Sequence, residues 1–68
     1  MKLEYDEEAD AVYIEFSAEE VAETREVKEG ILMDFSARGD ICGIEVLHVS
    51  KRGWFNRREL KKYALKEG

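Results

Sequence analysis

Cys42, His48 and Ser50 are the side chains best suited to nucleophilic catalysis, and they lie close together in the sequence. A nucleophile needs a base within hydrogen-bond reach and a third group that orients this base. On an extended segment the Cβ atoms of His48 and Ser50 lie roughly 6–7 Å apart, and no surrounding loop predicts a pocket. Cys42 fits a small buried hydrophobic residue better than a reactive thiol. We therefore predict a protein that is not an enzyme and has no catalytic residues.

Four carboxylates between Asp6 and Asp10 are of the type that binds a hard cation. Calcium loops of the EF-hand type place a glycine at the sixth position and a glutamate at the twelfth. The sequence has neither residue at those positions when the loop is counted from Asp6. The segment is therefore predicted to be a solvated turn, and the chain is predicted to bind no metal and no cofactor.

Residues 51–58, KRGWFNRR, interleave cations with two aromatic rings. Such a segment is typical of nucleic-acid surfaces, where cations bind phosphates and rings stack on bases. In the alternative interpretation, Trp54 and Phe55 hold a helix against a sheet while Arg57 and Arg58 contact acidic strands of their own chain. An acidic body that repels phosphate favours this alternative. The candidate positions for nucleic-acid or anion contact are Lys51, Arg52, Arg57, Arg58, Lys61 and Lys62.

The net charge of −5 is divided unevenly along the chain. Residues 1–50 hold 14 acidic and 4 basic side chains, whereas residues 51–68 hold 2 acidic and 7 basic ones. An acidic body with a basic tail suits a contact between molecules.

A chain of 68 residues has room for one domain, with strands in residues 1–50 and a helix in residues 54–68. Folding costs about 1.5 kcal/mol of conformational entropy per ordered residue. In so small a domain this cost nearly cancels the free energy gained by burying apolar surface. One cysteine cannot form an internal disulfide, so association with another chain is the expected source of further burial. The single cysteine and the absence of a long apolar run predict a cytoplasmic protein. The high share of Glu and Lys suggests a thermophilic source.

The longest near-continuous apolar run is residues 39–49, GDICGIEVLHV. Its apolar residues fall on both parities of a strand, so we expect it in the interior of a sheet with cover on both faces. Gly43 indicates a bulge or a close approach by another backbone.

Alternating apolar residues predict four further strands, at residues 2–6, 11–16, 25–28 and 31–36. The third of these is short and charged, which is typical of a sheet edge. Gly30 and Gly39 are predicted to supply positive φ angles in tight turns. Ser17 with Glu20 has the form of a capping box, which predicts one helical turn between Ser17 and Thr24.

The helix signal near the end of the chain is the clearest local pattern. Asn56 is a good N-cap and Glu59 completes a capping box, with Phe55 and Leu60 at the positions of a hydrophobic staple. The predicted helix runs from about Arg57 to Lys66. Its apolar stripe consists of Leu60, Tyr63 and Ala64.

Several pieces of the sequence occur in a familiar order. They are Tyr5-Asp6-x-x-Ala9-Asp10-Ala11-x-Tyr13-Ile14, Glu23-Thr24-x-Glu26-Val27, Gly30-Ile31-x-x-Asp34-Phe35, Gly39-Asp40-Ile41-x-Gly43-Ile44-Glu45-Val46-Leu47 and Ser50. Over roughly residues 2–50 this pattern resembles a family of short prokaryotic proteins known as domain-of-unknown-function family twenty-two eighty-three. The resemblance implies a small β-rich fold with no assigned activity and no catalytic residues to transfer. It also implies a two-protein arrangement such as a toxin–antitoxin pair, because members of such families are sometimes encoded beside another small protein.

The predicted fold is α+β, an antiparallel β-meander of four to five strands with one C-terminal α-helix packed on one face. The helix covers one side of the sheet. Because the other side stays uncovered, we predict that it contacts a second copy in a homodimer or a small protein partner. The expected interface residues are Trp54, Phe55, Leu47 and Val49. The predicted function is a non-enzymatic protein–protein interaction module that self-associates or neutralises a small partner in the manner of an antitoxin. The alternative is a nucleic-acid-associated protein that uses the basic aromatic C-terminal segment.

Overall fold

The computed structural model describes residues 1–63, which form one five-stranded antiparallel sheet followed by two short helical segments. The strands are β1 (Lys2–Asp6), β2 (Ala11–Glu15), β3 (Glu23–Lys28), β4 (Ile31–Phe35) and β5 (Ile41–Leu47), followed by a 3-10 turn (Val49–Lys51) and helix α1 (Arg57–Lys62). The strand order is β1-β2-β5-β4-β3. This architecture confirms the predicted α+β fold.

Strand β5 lies at the centre of the sheet, as its two-sided apolar pattern predicted. Val46 of β5 opposes Val12 of β2 and Ile31 of β4, and Ile44 opposes Ile14 and Met33 in the same way. Directly opposed residues of paired strands lie on the same face. One surface of the sheet therefore carries Leu3, Tyr5, Val12, Ile14, Ile31, Met33, Phe35, Ile44 and Val46. We call this surface the helix face, because α1 packs on it, and the opposite surface the polar face.

The hydrophobic core lies at one end of the helix face. Tyr5, Val12 and Val46 form it together with Val49 of the 3-10 turn and Leu60 of α1. Burying each such side chain contributes roughly 1.5–3 kcal/mol. The core therefore joins β1, β2 and β5 to the C-terminal segment.

The capping box predicted for α1 is present. The Asn56 side chain accepts a hydrogen bond from Glu59 N over 2.8 Å, and the Glu59 carboxylate accepts one from Asn56 N over 3.1 Å. These bonds satisfy backbone N–H groups that have no partner inside the helix. Ala64 and the predicted helix end near Lys66 lie outside the described residues.

Three local predictions are wrong. No helical turn forms between Ser17 and Thr24, because the Ser17 hydroxyl accepts from Glu19 N at 3.1 Å and Ala22 N donates to the Phe35 carbonyl. That second bond carries the chain straight into β3, which begins at Glu23 rather than Arg25. The central strand ends at Leu47 and not at Val49, since His48 adopts a left-handed conformation with φ 53°.

Candidate functional site

A row of hydrogen-bonded side chains crosses the polar face of the sheet. Tyr13 of β2 reaches across β5 and donates through its hydroxyl to Asp34 Oδ2 of β4 over 2.8 Å. Thr24 of β3 donates to Asp34 Oδ1 over 2.6 Å. Burial, and then the Asp34 carboxylate, raise the pKa of Tyr13 to about 12. We call these three residues the polar row.

Gly43 makes the polar row possible. A Cβ atom at this position would collide with the Tyr13 side chain and would lie 2.9 Å from the carbonyl oxygen of Ile14. Only a residue without a side chain lets the tyrosine lie flat over β5. The predicted close approach at Gly43 is therefore made by a side chain and a backbone together.

Asp10 connects two distant loops. Its carboxylate accepts hydrogen bonds from Ser50 Oγ at 2.7 Å, Ser50 N at 3.2 Å and Tyr5 Oη at 3.1 Å. The hydrogen bond from the Ser50 hydroxyl is the largest cause that holds the pKa of Asp10 below its ordinary value. Asp10 has φ 52°, a left-handed conformation that aspartate tolerates better than most residues. The carboxylate thus ties the β1–β2 turn to the 3-10 turn.

Beside Asp10 lies an open cavity of about 370 Å³. Its lining combines cationic and acidic side chains with the core edge: Tyr5, Glu7, Asp10, Ser50, Arg57, Leu60 and Lys61. The Ser50 hydroxyl donates to the Asp10 carboxylate, and the lowered pKa of Asp10 makes this carboxylate a weaker base than an ordinary aspartate. Every buried side-chain nitrogen or oxygen among residues 1–63 has a hydrogen-bond partner. The hydrogen bonds at this cavity hold the β1–β2 turn against the 3-10 turn.

The residues of the acidic turn do not gather around a common point. Asp6 Oδ1 accepts from Glu8 N at 3.1 Å and from Ala9 N at 3.3 Å, while Asp10 faces Ser50. In the part of the chain with described coordinates, no three potential ligands are grouped closely enough to hold a metal ion. No helix there has the length and apolar character needed to cross a membrane.

Arg52 differs from the other candidate cations because its guanidinium hydrogen-bonds to backbone carbonyls of its own chain. It donates to the Leu47 carbonyl at 2.8 Å and to the Glu29 carbonyl at 2.9 Å. Its guanidinium also lies 5.4 Å from the ring centre of Trp54. Arg52 therefore ties the C-terminal segment to the β3–β4 turn.

The remaining candidate cations are exposed: Lys51, Arg57, Arg58, Lys61 and Lys62. Ion pairs among residues 1–63 join Lys2 to Glu4, Arg25 to Glu23, and Arg38 to Glu19 and Asp40. Within those residues, the predicted contact of Arg57 and Arg58 with acidic strands of their own chain is not present.

The four predicted interface residues occupy different environments. Val49 is fully buried in the core, whereas Phe55 is half-buried and packs against the core. The Val49 side chain points inward because the chain turns at His48. Leu47 is half-buried, and Trp54 remains 56% exposed. Of the two aromatic residues, Phe55 rather than Trp54 anchors the helix.

An exposed region that sequence reasoning did not single out lies at the β3–β4 side of the sheet. All residues of β3 are exposed, and all residues of β4 are half-buried. Val27 of β3 and Val21, which lies two residues before β3 begins, are 47% and 44% exposed. The alternation of Ile31, Met33 and Phe35 is the sequence signal for an apolar face here, but it does not show which part of that face the helix covers.

The chain matches the family model described as Protein of unknown function (DUF2283) over residues 2–50. The chain belongs to this family. The matched DUF2283 span contains the whole polar row and the Asp10–Ser50 link, and it ends before the basic aromatic segment. No curated protein and no solved structure matches the chain.

Proposed function

We propose that this DUF2283 protein is a non-enzymatic interaction module that self-associates through the β3–β4 side of its sheet. The observation that carries this proposal is the uneven burial of the sheet. The described core lies over β1, β2 and β5, whereas β3 is exposed and β4 is half-buried. The hydrophobic side chains that a contact here would cover are exposed Val27 of β3 and half-buried Ile31, Met33 and Phe35 of β4.

The small size of the core supports association. Within residues 1–63 the buried hydrophobic residues are Tyr5, Ala11, Val12, Cys42, Val46, Val49 and Leu60. Domains of this size commonly gain stability from disulfides, metals or a partner. Cys42 is unpaired, so a second chain is the remaining source that the described residues favour.

Two features support a role without catalysis. Burial raises the pKa of the Cys42 thiol, which is the opposite of what a nucleophilic cysteine needs. The polar groups of the Asp10–Ser50 link hydrogen-bond to each other, and those of the polar row hydrogen-bond among themselves.

A single unpaired cysteine also supports a reducing compartment, which we take to be the cytoplasm.

Light scattering after size-exclusion chromatography tests this proposal on the full chain. We expect a mass of about twice the 7.9 kDa of one chain at micromolar concentration. A mass of one chain across the accessible concentration range would contradict self-association.

A small basic protein is a further partner for the same module. The excess of acidic residues in residues 1–50 supports such a contact, as does the two-protein arrangement that the family resemblance implies. In this antitoxin-like form the chain covers a basic site on its partner. Copurification of one small basic protein from the native cells, with release at high salt, is the expected result.

Nucleic-acid binding is a second candidate function, which the exposed cations and Trp54 favour. Lys51, Arg57, Arg58, Lys61 and Lys62 are exposed, and none forms an ion pair within the described residues. Salt-sensitive retention on DNA or RNA is expected, with loss on the double change Arg57→Glu and Arg58→Glu. A chain that is not retained at low salt would rule this candidate out.

A further inference from the structure

Strand β3 forms a free edge of the sheet among the described residues. It is last in the strand order, and every residue from Glu23 to Lys28 is exposed. An edge of this kind presents unpaired backbone N–H and C=O groups that readily accept another strand. At the opposite edge, β1 contacts the end of helix α1 of the same chain, because Tyr5 N donates to the Tyr63 carbonyl over 2.7 Å.

Among residues 1–63, β3 pairs with β4 on one side only, so its outer edge is available to a strand of another molecule.

We propose that a second copy of this chain pairs with β3 edge to edge, antiparallel, with Thr24 of both copies on the two-fold axis. The inference rests on the proposed self-association and names the surface that performs it. The pairing joins the two sheets into one continuous sheet with both helix faces on the same side. Main-chain hydrogen bonds supply affinity, and the facing side chains select the register.

The charges of β3 are self-complementary in this register. Glu23 lies opposite Arg25 of the second copy, and Arg25 lies opposite its Glu23, so two cross-strand ion pairs form. Both residues lie on the helix face, because Glu23 opposes Phe35 and Arg25 opposes Met33. Within one chain they already form an ion pair, with Arg25 Nε 3.3 Å from Glu23 Oε1. The pairing therefore alternates acid and base around the axis.

Beyond these pairs the strand is not regular, because β3 begins at Glu23 and its pairing with β4 shifts register between Glu26 and Lys28. The proposed register therefore depends on Glu23, Thr24 and Arg25.

Neighbouring registers bring like charges together. Moving the axis by one residue towards the N-terminus places Glu23 opposite Glu23 of the second copy. Moving it by one residue in the other direction places Arg25 opposite Arg25. Like charges directly opposite each other destabilise a strand pair. The charges of β3 therefore oppose both adjacent registers and favour the one centred on Thr24.

The proposed axis also joins the polar rows of the two copies. Thr24 ends the row on the polar face, where its hydroxyl donates to Asp34. On the axis, the two Thr24 side chains lie side by side. The two rows then form a single line of polar side chains across the whole assembly.

Charge reversal at the axis tests the register. Glu23→Arg alone and Arg25→Glu alone should each raise the dimer dissociation constant roughly tenfold or more, because two symmetric pairs change together. Mixing the two variants should restore a dimer. In that mixture the introduced arginine faces the introduced glutamate, and the native Arg25 faces the native Glu23. Lys2→Glu, at an exposed position of β1, is the matched control and should leave the constant unchanged.

Cross-linking tests the axis independently. Thr24→Cys should form an intermolecular disulfide on oxidation, because directly opposed residues of an antiparallel pair have Cα atoms roughly 4.5–5.5 Å apart, which a disulfide can span. Glu26→Cys is the control on the same face, since the two introduced thiols are offset by four residues, roughly 13 Å. The native Cys42 is buried. Circular dichroism of each variant shows whether the fold is retained.

The outcomes separate the two proposals. A folded chain that stays monomeric overturns both self-association and the edge register. A dimer that is insensitive to the charge reversals and forms no Thr24→Cys disulfide overturns the register, while the interaction module stands. A dimer that the reversals weaken, and that mixing restores, supports the inference.

Discussion

At the scale of single residues, Asp10 stabilises the fold through a carboxylate with three hydrogen bonds. Asp10→Asn removes the charge but keeps a residue that tolerates the left-handed conformation. We expect a loss of about 1–2 kcal/mol in the free energy of unfolding at neutral pH, measured by urea denaturation. Glu8→Gln removes an exposed carboxylate from the same turn and should change little.

The pH dependence of Asp10 has a defined sign. The folded state lowers its pKa below the ordinary value of 3.8, so the native state binds fewer protons than the unfolded state near that pH. The stabilisation is present above this value and is lost as the pH falls through the folded pKa. The difference between the native protein and Asp10→Asn should therefore shrink in acid, and a difference that does not change with pH would contradict this account.

Tyr13 gives the opposite dependence at high pH. Its folded pKa is raised from 10.0 to about 12, so the folded state retains a proton that the unfolded chain loses. The free energy of unfolding should fall between those two pH values, and it should fall less steeply in Tyr13→Phe. Tyr63→Phe, at an exposed position, is the control and should follow the native protein.

Gly43→Ala tests the close approach of Tyr13 to β5. The added Cβ would meet the tyrosine and the Ile14 carbonyl, so we expect a loss of about 1–3 kcal/mol in unfolding free energy. In a Tyr13→Ala background this loss should be smaller. At Gly39 a Cβ meets no atom within 4 Å, so the cost of Gly39→Ala should be the same in both backgrounds.

At the scale of elements, alternation and capping were the informative signals. The strands and their turns follow from period-two patterns and from Gly30 and Gly39, and α1 follows from Asn56 with Glu59. The Ser17–Thr24 turn was wrong because a tertiary hydrogen bond from Ala22 to Phe35 decides the backbone there. Local sequence carries no information about such a distant partner.

Leu60 connects α1 to the sheet, so Leu60→Ala should destabilise the fold most among changes in the helix. The side chain is almost fully buried, and its truncation should cost about 2–4 kcal/mol in thermal or urea unfolding. Asn56→Ala removes the capping box and should cost about 1 kcal/mol. Lys62→Ala, on the exposed side, should be nearly neutral. Equal effects at Leu60 and Lys62 would contradict the packing.

At the scale of the whole molecule, the core of residues 1–63 lies over β1, β2 and β5, whereas β3 is exposed. The position of β5 at the centre could be predicted from its apolar residues. The Asp10–Ser50 and Tyr13–Asp34 contacts could not, because they join residues 40 and 21 positions apart. The free β3 edge depends on the strand order, in which β5 lies between β2 and β4. A pattern read along the chain does not give that order.

Hydrogen exchange of the β3 amides at several protein concentrations tests the central claim most directly, because it reports on the proposed edge itself. At high concentration, the outward-pointing amides between Glu23 and Lys28 should be protected, and dilution should remove this protection while β2 and β5 remain unchanged. Rapid exchange of those amides at every concentration would contradict the account.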